Sequence, residues 1–219
     1  DADMRENGGL LRMDDLALIP YPIEREPLVR SFRDLDIYTM PPPGSGRSLL
    51  FALMMLDLVP KEVEMDDPLT EYLLFIHILR KVFLERSDRP FDANFFTQTE
   101  EEQDMLDPLY ARECLLDILK HVDQSVLPLV PTEDELTGET THLSVVDKNG
   151  MAVSLTQSIE RVYGSKAAAG GLGFLYNNYL FDFDYTQPEH PFYLRPNASP
   201  WATVAPTMVF DKNDLWLVL

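Results

Sequence analysis

The sequence runs to 219 residues, 45% hydrophobic and 25% charged, enough chain for one large domain or two small ones with a real core. Its formal net charge of −19 argues against nucleic acid or an anionic membrane surface as a partner. No apolar run approaches the roughly 18 residues of a membrane-spanning helix, and Asp1-Ala2-Asp3-Met4-Arg5-Glu6 lacks the basic-then-apolar layout of a signal peptide.

In chain order, Asn7-Gly8-Gly9 signals a turn and Met13-Asp14-Asp15-Leu16 a short capped helix. Leu28 to Arg33 and Leu35 to Met40 read as two short strands joined at Arg33-Asp34. Pro41-Pro42-Pro43-Gly44-Ser45-Gly46 forces an extended segment and a loop. Ser48 to Leu58 is too long an apolar run for an ordinary strand and predicts a buried helix. A second helix opens at Asp67-Pro68, with Leu73, Leu74, Ile76, Ile78, Leu79, Val82 and Phe83 covering a wide face, and Pro90 bars its continuation. A third opens at Asp107-Pro108 and runs to about Val122.

Residues 125–139 are rich in proline and acid without periodicity, the pattern of a mobile linker. The character then changes. Residues 1–139 carry 30 acids against 13 bases, whereas 140–219 carry 7 against 5, so the first part reads as solvated outer faces and the second as buried sheet. Leu143 to Asp147 and Ala152 to Ser158 alternate as strands around a Lys148-Asn149-Gly150 turn. Gly164 to Gly173 and Pro188 to Pro206 are loops, and Thr207 to Leu219 forms a last hairpin that stops inside an apolar strand, as a cut chain would. Helices first and strands later predict an α+β fold. The expected division is 1–124, a linker at 125–139, and 140–219.

Cys114 is the single cysteine, so no intrachain disulfide forms, and its amphipathic helix setting predicts a core thiol rather than a nucleophile. His77, His121 and His190 stand singly without metal-ligand spacing. Gly170-Gly171-Leu172-Gly173 lacks the strand-then-helix frame of a dinucleotide site.

The segment most open to a chemical reading is Gly138-Glu139-Thr140-Thr141-His142-Leu143-Ser144-Val145-Val146-Asp147. An internal threonine hydroxyl is a weak nucleophile because nothing takes its proton. Cutting the Glu139–Thr140 peptide would give Thr140 a free α-amine with a pKa near ~8, so that one residue supplies nucleophile and base. The plainer alternative is two threonines that open a strand. His142 shares a strand face with Thr140, and a structural role is expected for it because the amine already serves as base.

Three stretches resemble the gamma-glutamyltranspeptidase family of self-cleaving N-terminal-nucleophile enzymes, in family order. They are Asn7-Gly8-Gly9-Leu10 with Asp15-Leu16, Tyr38-Thr39-Met40-Pro41-Pro42-Pro43-Gly44-Ser45-Gly46, and Thr140-Thr141-His142-Leu143-Ser144-Val145-Val146-Asp147-Lys148-Asn149-Gly150. The resemblance implies part of a four-layer αββα sandwich and autocleavage between Glu139 and Thr140. It implies γ-glutamyl transfer or hydrolysis on glutathione-type small molecules, with large and small subunits that stay partners after the cut. It implies no metal or organic cofactor, and a periplasmic or extracellular location. Poly-γ-glutamate depolymerases and cephalosporin acylase-like enzymes resemble the same family, so poly-γ-glutamate or another acyl amide is an alternative substrate, and a non-catalytic relative a further alternative.

By the same resemblance Ser158 stands where a threonine supports the nucleophile, and Asp182 where an aspartate holds the substrate's α-ammonium. Glu160 replaces an asparagine near the α-carboxylate, Tyr179 replaces a glutamine or glutamate at the α-amino end, and Ala202-Thr203 replaces a pair of serines. Arg161 beside Glu160 is read either as a solvated surface partner or as an inward carboxylate clamp. The family's carboxylate-binding arginine is expected before Asp1 and its oxyanion-hole glycines beyond Leu219, so these 219 residues alone are expected to be inactive.

Overall fold

Short runs of alternating residues around tight turns build the first sheet. In the computed structural model, which describes residues 1–17, 24–59, 68–87, 105–121, 138–190, 192–200 and 202–219, Leu28–Phe32 (β1) and Leu35–Thr39 (β2) pair antiparallel. Arg33, at φ 56°, supplies the left-handed residue of the turn between them. Thr207–Asp211 (β5) pairs antiparallel with β2 on one side and with Asp214–Val218 (β6) on the other, around Lys212 at φ 59°. The sheet order is β1-β2-β5-β6. Strands from both sides of the Glu139–Thr140 peptide therefore share one sheet, and the buried Thr39 and Thr207 hydroxyls meet across its centre at 2.9 Å.

The helices behind this sheet follow the predicted positions. Gly46–Asp57 (α3), Pro68–Ser87 (α4) and Pro108–His121 (α5) come after two one-turn helices, Ala2–Glu6 (α1) and Met13–Ala17 (α2). The apolar run in α3 is explained by burial on two sides. Leu50 packs with Ile37 and Val209 of the sheet, while Phe51, Met54 and Met55 join Leu74, Ile78, Met105 and Leu115 in a second cluster. Phe51 and Tyr110 stack with centroids 5.8 Å apart. Cys114 is buried in that cluster, as its helical setting predicts, and desolvation pushes its thiol pKa up. The buried stripe of α4 is narrower than the sequence suggests. Leu74, Ile78 and Val82 recur four residues apart inside, while Ile76 and Phe83 are exposed.

The second sheet is the hairpin of Gly138–Val146 (β3) and Ala152–Arg161 (β4). Gly150 turns at φ 86°, and the Asp147 carboxylate accepts the backbone N–H groups of Asn149 and Met151 at 2.8 and 2.9 Å. Here the expectation of a buried sheet fails. Along β4 the polar residues Ser154, Thr156 and Ser158 are half-buried, whereas Val153 and Leu155 are exposed. The covered face is the polar one because it meets the end of β6: Ser144 Oγ donates to Val218 O at 3.0 Å, and Ser154 Oγ donates to Leu219 O. Of the predicted linker, Gly138 and Glu139 belong to β3, and 125–137 lie outside the described residues.

The architecture is α+β, with antiparallel sheets and helices grouped in sequence rather than alternating with strands.

Candidate active site

Register decides which side chains meet on the hairpin. Thr140 pairs with Ser158, His142 with Thr156 and Ser144 with Ser154, so six polar residues line one face. Thr140 Oγ1 donates to Ser158 Oγ at 3.1 Å, and the same oxygen accepts the backbone N–H of Glu160 at 3.0 Å. His142 spends both ring nitrogens on neighbours, Nδ1 with Thr156 Oγ1 at 2.8 Å and Nε2 with Ser144 Oγ at 3.0 Å. In a neutral ring one nitrogen donates and the other accepts, so the imidazole ties the two strands together.

The ladder is broken where the chemistry is expected. Gly138 pairs with Arg161 while Thr140 pairs with Ser158, so β4 carries one extra residue opposite Glu139. Glu160 absorbs that bulge at φ 75°, a conformation costly for a residue with a Cβ. The Glu139–Thr140 peptide thus lies beside an interrupted ladder rather than inside a regular one.

The end of β4 docks against the short 3-10 helix Tyr179–Asp182. Asn178 N–H donates to Ile159 O at 3.3 Å, and Asn178 Oδ1 accepts the Arg161 N–H at 3.0 Å. These contacts bring half-buried Tyr179 and Asp182 to the neighbourhood of Glu160 and Arg161. Burial, and then the Glu160 charge, push the Asp182 carboxyl up to about 6, with Arg161 opposing the shift. The Arg161 guanidinium lies over the Phe181 ring at 3.6 Å from its centroid.

Ala202 and Thr203 are positioned separately, by the Pro41–Gly46 loop. Ala202 N–H donates to Pro43 O at 3.2 Å, Ser45 Oγ donates to Ala202 O at 3.0 Å, and Ser45 N–H donates to Val204 O at 2.8 Å. Thr203 is exposed, and among the described residues no hydrogen bond joins this pair to Thr140 or Asp182. Contacts therefore link Thr140 to Ser158 and Ser158 to Glu160, and Glu160 lies within reach of the Asp182 charge. Tyr179 is carried on the same short helix as Asp182, and Ala202-Thr203 sit on a separate anchor. A 540 Å³ depression lies elsewhere, lined by Arg25, Thr39, Met40, Pro43, Ser154 and Met208 among others, and contains none of the linked residues. Among the described residues no three His, Cys, Asp or Glu side chains are grouped as a metal site.

Sequence reasoning misses two features: the bulge at Glu160 and the Arg161–Phe181 stack. The offset between the polar positions of β3 and β4 is a signal for the first. Nothing local signals the second, because its partners are 20 residues apart and meet only through the Ile159–Asn178 contact.

Comparison with known proteins identifies the family. The sequence model of the gamma-glutamyltranspeptidase family matches residues 1–219. The glutathione hydrolase proenzyme of Escherichia coli (strain K12) is 29% identical over 234 residues, covering 99% of this chain and 39% of that protein. Glutathione hydrolase proenzyme 1 of Schizosaccharomyces pombe (strain 972 / ATCC 24843) is also 29% identical, over 99% of this chain and 36% of its own length. The acylase ACY 1 proenzyme of Pseudomonas sp. (strain SE83) is 28% identical over 99% of this chain and 38% of its own. The chain thus spans a little over a third of the length of these relatives. The cephalosporin acylase structure from Bacillus halodurans superposes with a TM-score of 0.76 at 20% identity, over 99% of this chain and 38% of that one. That likeness shows a shared α+β fold. With the family model matching every residue, the chain belongs to the gamma-glutamyltranspeptidase family.

Proposed function

We propose that the protein transfers or hydrolyses γ-glutamyl groups through Thr140, after cleaving its own Glu139–Thr140 peptide. The observation that carries this reading is the 3.1 Å contact from Thr140 Oγ1 to Ser158 Oγ, next to the bulge opposite Glu139. In processing, Thr140 Oγ1 attacks the Glu139 carbonyl carbon and the C–N bond breaks as the proton passes to nitrogen. Water then hydrolyses the resulting ester, leaving a carboxylate on Glu139 and a free amine and hydroxyl on Thr140. In turnover, that amine takes the hydroxyl proton while Oγ1 attacks the substrate's γ-amide carbonyl. The leaving amine departs protonated, and water or an amino acid's amine resolves the γ-glutamyl ester.

Ser158 holds the attacking oxygen in line. Asp182 accepts the substrate's α-ammonium, and Tyr179 borders that end, while Glu160, Ala202 and Thr203 flank the α-carboxylate. Residues 1–124 and 140–219 then fall into the large and small chains, with 125–139 as the linker between them. A periplasmic or extracellular location goes with the same reading.

One observation favours a second substrate class. Glu160 is close enough to Asp182 to push its pKa up, and Ala202 carries no hydroxyl, so the subsite is more acidic and poorer in donors than a neutral one. The added charge and the lost donor weaken the case for glutathione, so poly-γ-glutamate or another acyl amide stands as the alternative substrate class.

Mass spectrometry of the full-length protein tests the core of the proposal. A new chain beginning at Thr140, absent in Thr140→Ala, is expected, together with release of p-nitroaniline from a γ-glutamyl anilide. A single uncut chain in both proteins would leave a non-catalytic binding relative instead. Cleavage without anilide release would favour the second substrate class.

A further inference from the structure

We propose that Arg161 is a carboxylate-binding residue of this site, held in its working orientation by Phe181. The inference rests on the Thr140 reading and adds the substrate group that the site selects. Its guanidinium sits over the Phe181 ring at 3.6 Å, closer than Arg33, Lys81, Arg86 and Arg195 lie to the rings of Phe32, Tyr110, Phe83 and Tyr193, at 5.1 to 6.0 Å. A guanidinium laid on a ring uses its face, and its five N–H donors point outward from the edge.

Those donors have no acceptor among the described residues. Among the described residues the side chain makes no hydrogen bond and no ion pair, even though Glu160 precedes it in sequence and Asp182 lies near enough to feel its charge. Its backbone is nonetheless fixed, through Asn178 Oδ1 at 3.0 Å and through pairing with Gly138. An arginine that is half-buried, clamped at backbone and side chain, and left with its donor edge unused is arranged for an anion from outside the protein.

Position selects the anion. Arg161 is three residues from Ser158 along β4, roughly 10 Å if extended and less across the Glu160 bulge. With the guanidinium's own reach, that suits a carboxylate a few carbons from the carbonyl that Thr140 attacks. The class is therefore an acyl amide whose acyl part ends in a carboxylate. The same residue compensates the Glu160 charge and the missing hydroxyl at Ala202, which otherwise leave the subsite hostile to an anion.

Calorimetric binding to the full-length protein, with its cleavage state read by mass, tests this. The probes are L-glutamate, which carries both α- and γ-carboxylates, and 4-aminobutyrate, which keeps the amine and the γ-carboxylate but lacks the α-carboxylate. Wild type is expected to bind glutamate the more tightly. Arg161→Gln should weaken glutamate at least about tenfold, as loss of a charge-assisted pair does, and leave 4-aminobutyrate unchanged. Arg161→Lys should fall between, and Phe181→Leu should weaken glutamate with the charge intact.

Equal glutamate binding by wild type and Arg161→Gln overturns the proposal while a chain starting at Thr140 leaves the nucleophile standing. A wild-type protein that binds neither probe overturns it as well. Absence of any chain starting at Thr140 sinks the underlying reading instead. Should Arg161→Gln lose cleavage through misfolding, the glutamate affinities of Arg161→Lys and Phe181→Leu decide between these outcomes.

Discussion

Thr140 Oγ1 donates its hydrogen to Ser158 Oγ, 3.1 Å away across the antiparallel pair, and Ser158 Oγ also accepts the Glu160 N–H at 3.0 Å. Ser158 thus connects the proposed nucleophile to the bulge and, through it, to the acidic end of the site. The hydroxyl of Thr140 is held in one direction before any amine is freed. That is the pre-organisation an attack on a neighbouring carbonyl requires.

Ser158→Ala removes the acceptor and leaves the strand pairing intact. Cleavage and anilide turnover should both slow, on the order of a hundredfold for loss of one positioned hydroxyl. Ser158→Thr keeps the oxygen and should stay within about threefold. The readouts are the rate of band splitting on a denaturing gel and kcat. Full rates in Ser158→Ala would remove Ser158 from the mechanism.

The Asp182 carboxyl has its pKa raised from 3.8 to about 6, by burial first and the Glu160 charge second. Between those values the folded chain binds more proton than the unfolded chain. Stability from this group is therefore present at low pH, declines as pH rises from about 4, and is gone above about 6. Asp182→Asn abolishes the titration. Its Tm relative to wild type should be near zero difference at pH 4 and increasingly favourable up to pH 6.5. Substrate affinity should run the opposite way, because only the carboxylate holds an ammonium. In wild type 1/KM should climb through pH 6, and in Asp182→Asn it should be low and flat. A wild-type profile without that limb would show that Asp182 does not hold the substrate.

The strands and turns were legible because their signals are local. Arg33-Asp34, Lys148-Asn149-Gly150 and Asp211 to Asp214 each break a period-two pattern, and each is a turn in the structure. Thr140 was singled out by the resemblance of residues 140–150 to a family pattern, because its place before an alternating strand fits an ordinary strand start equally well. What escaped depends on packing between distant segments. The period of β3 and β4 separates a polar face from an apolar one and cannot say which is covered. Here Val218 and Leu219 select the polar face. The wide apolar face of α4 likewise narrows to Leu74, Ile78 and Val82, with Leu73 packed beside them, because these are the α4 residues that join the cluster built around α3 and α5. The role of Arg161 needed Phe181, which no short-range pattern supplies.

Cleavage should not separate the two chains under native conditions. β2 precedes the Glu139–Thr140 peptide and β5 follows it, yet they pair along Leu35 to Thr39, and Leu50 of α3 packs with Val209 of β5. Breaking one peptide leaves these hydrogen bonds and apolar contacts untouched. Size-exclusion chromatography of fully cleaved protein is expected to give one peak containing both chains, which resolve only on a denaturing gel. Two native peaks would mean that the shared sheet does not hold them.

Gly46 opens α3 where the chain must turn sharply out of the proline-rich loop. A Cβ there would collide with the Met40 carbonyl oxygen, which is backbone and cannot swing aside, and with the Thr39 side chain. Thr39 is the residue whose hydroxyl meets Thr207, so crowding at Gly46 is transmitted to the centre of the shared sheet. Gly46→Ala should therefore destabilise the protein by about 2 kcal/mol or more, the usual cost of overpacking a tight site. Gly170→Ala is the control, since its nearest neighbour, Asp3 Oδ1, would be 3.6 Å from the new Cβ and its backbone is not left-handed. That change should stay within about 0.5 kcal/mol of neutral. Urea unfolding midpoints of the two variants decide the matter. Equal midpoints would mean that the loop relaxes freely, and that the close approach of Gly46 to Met40 contributes nothing to joining β2 and β5.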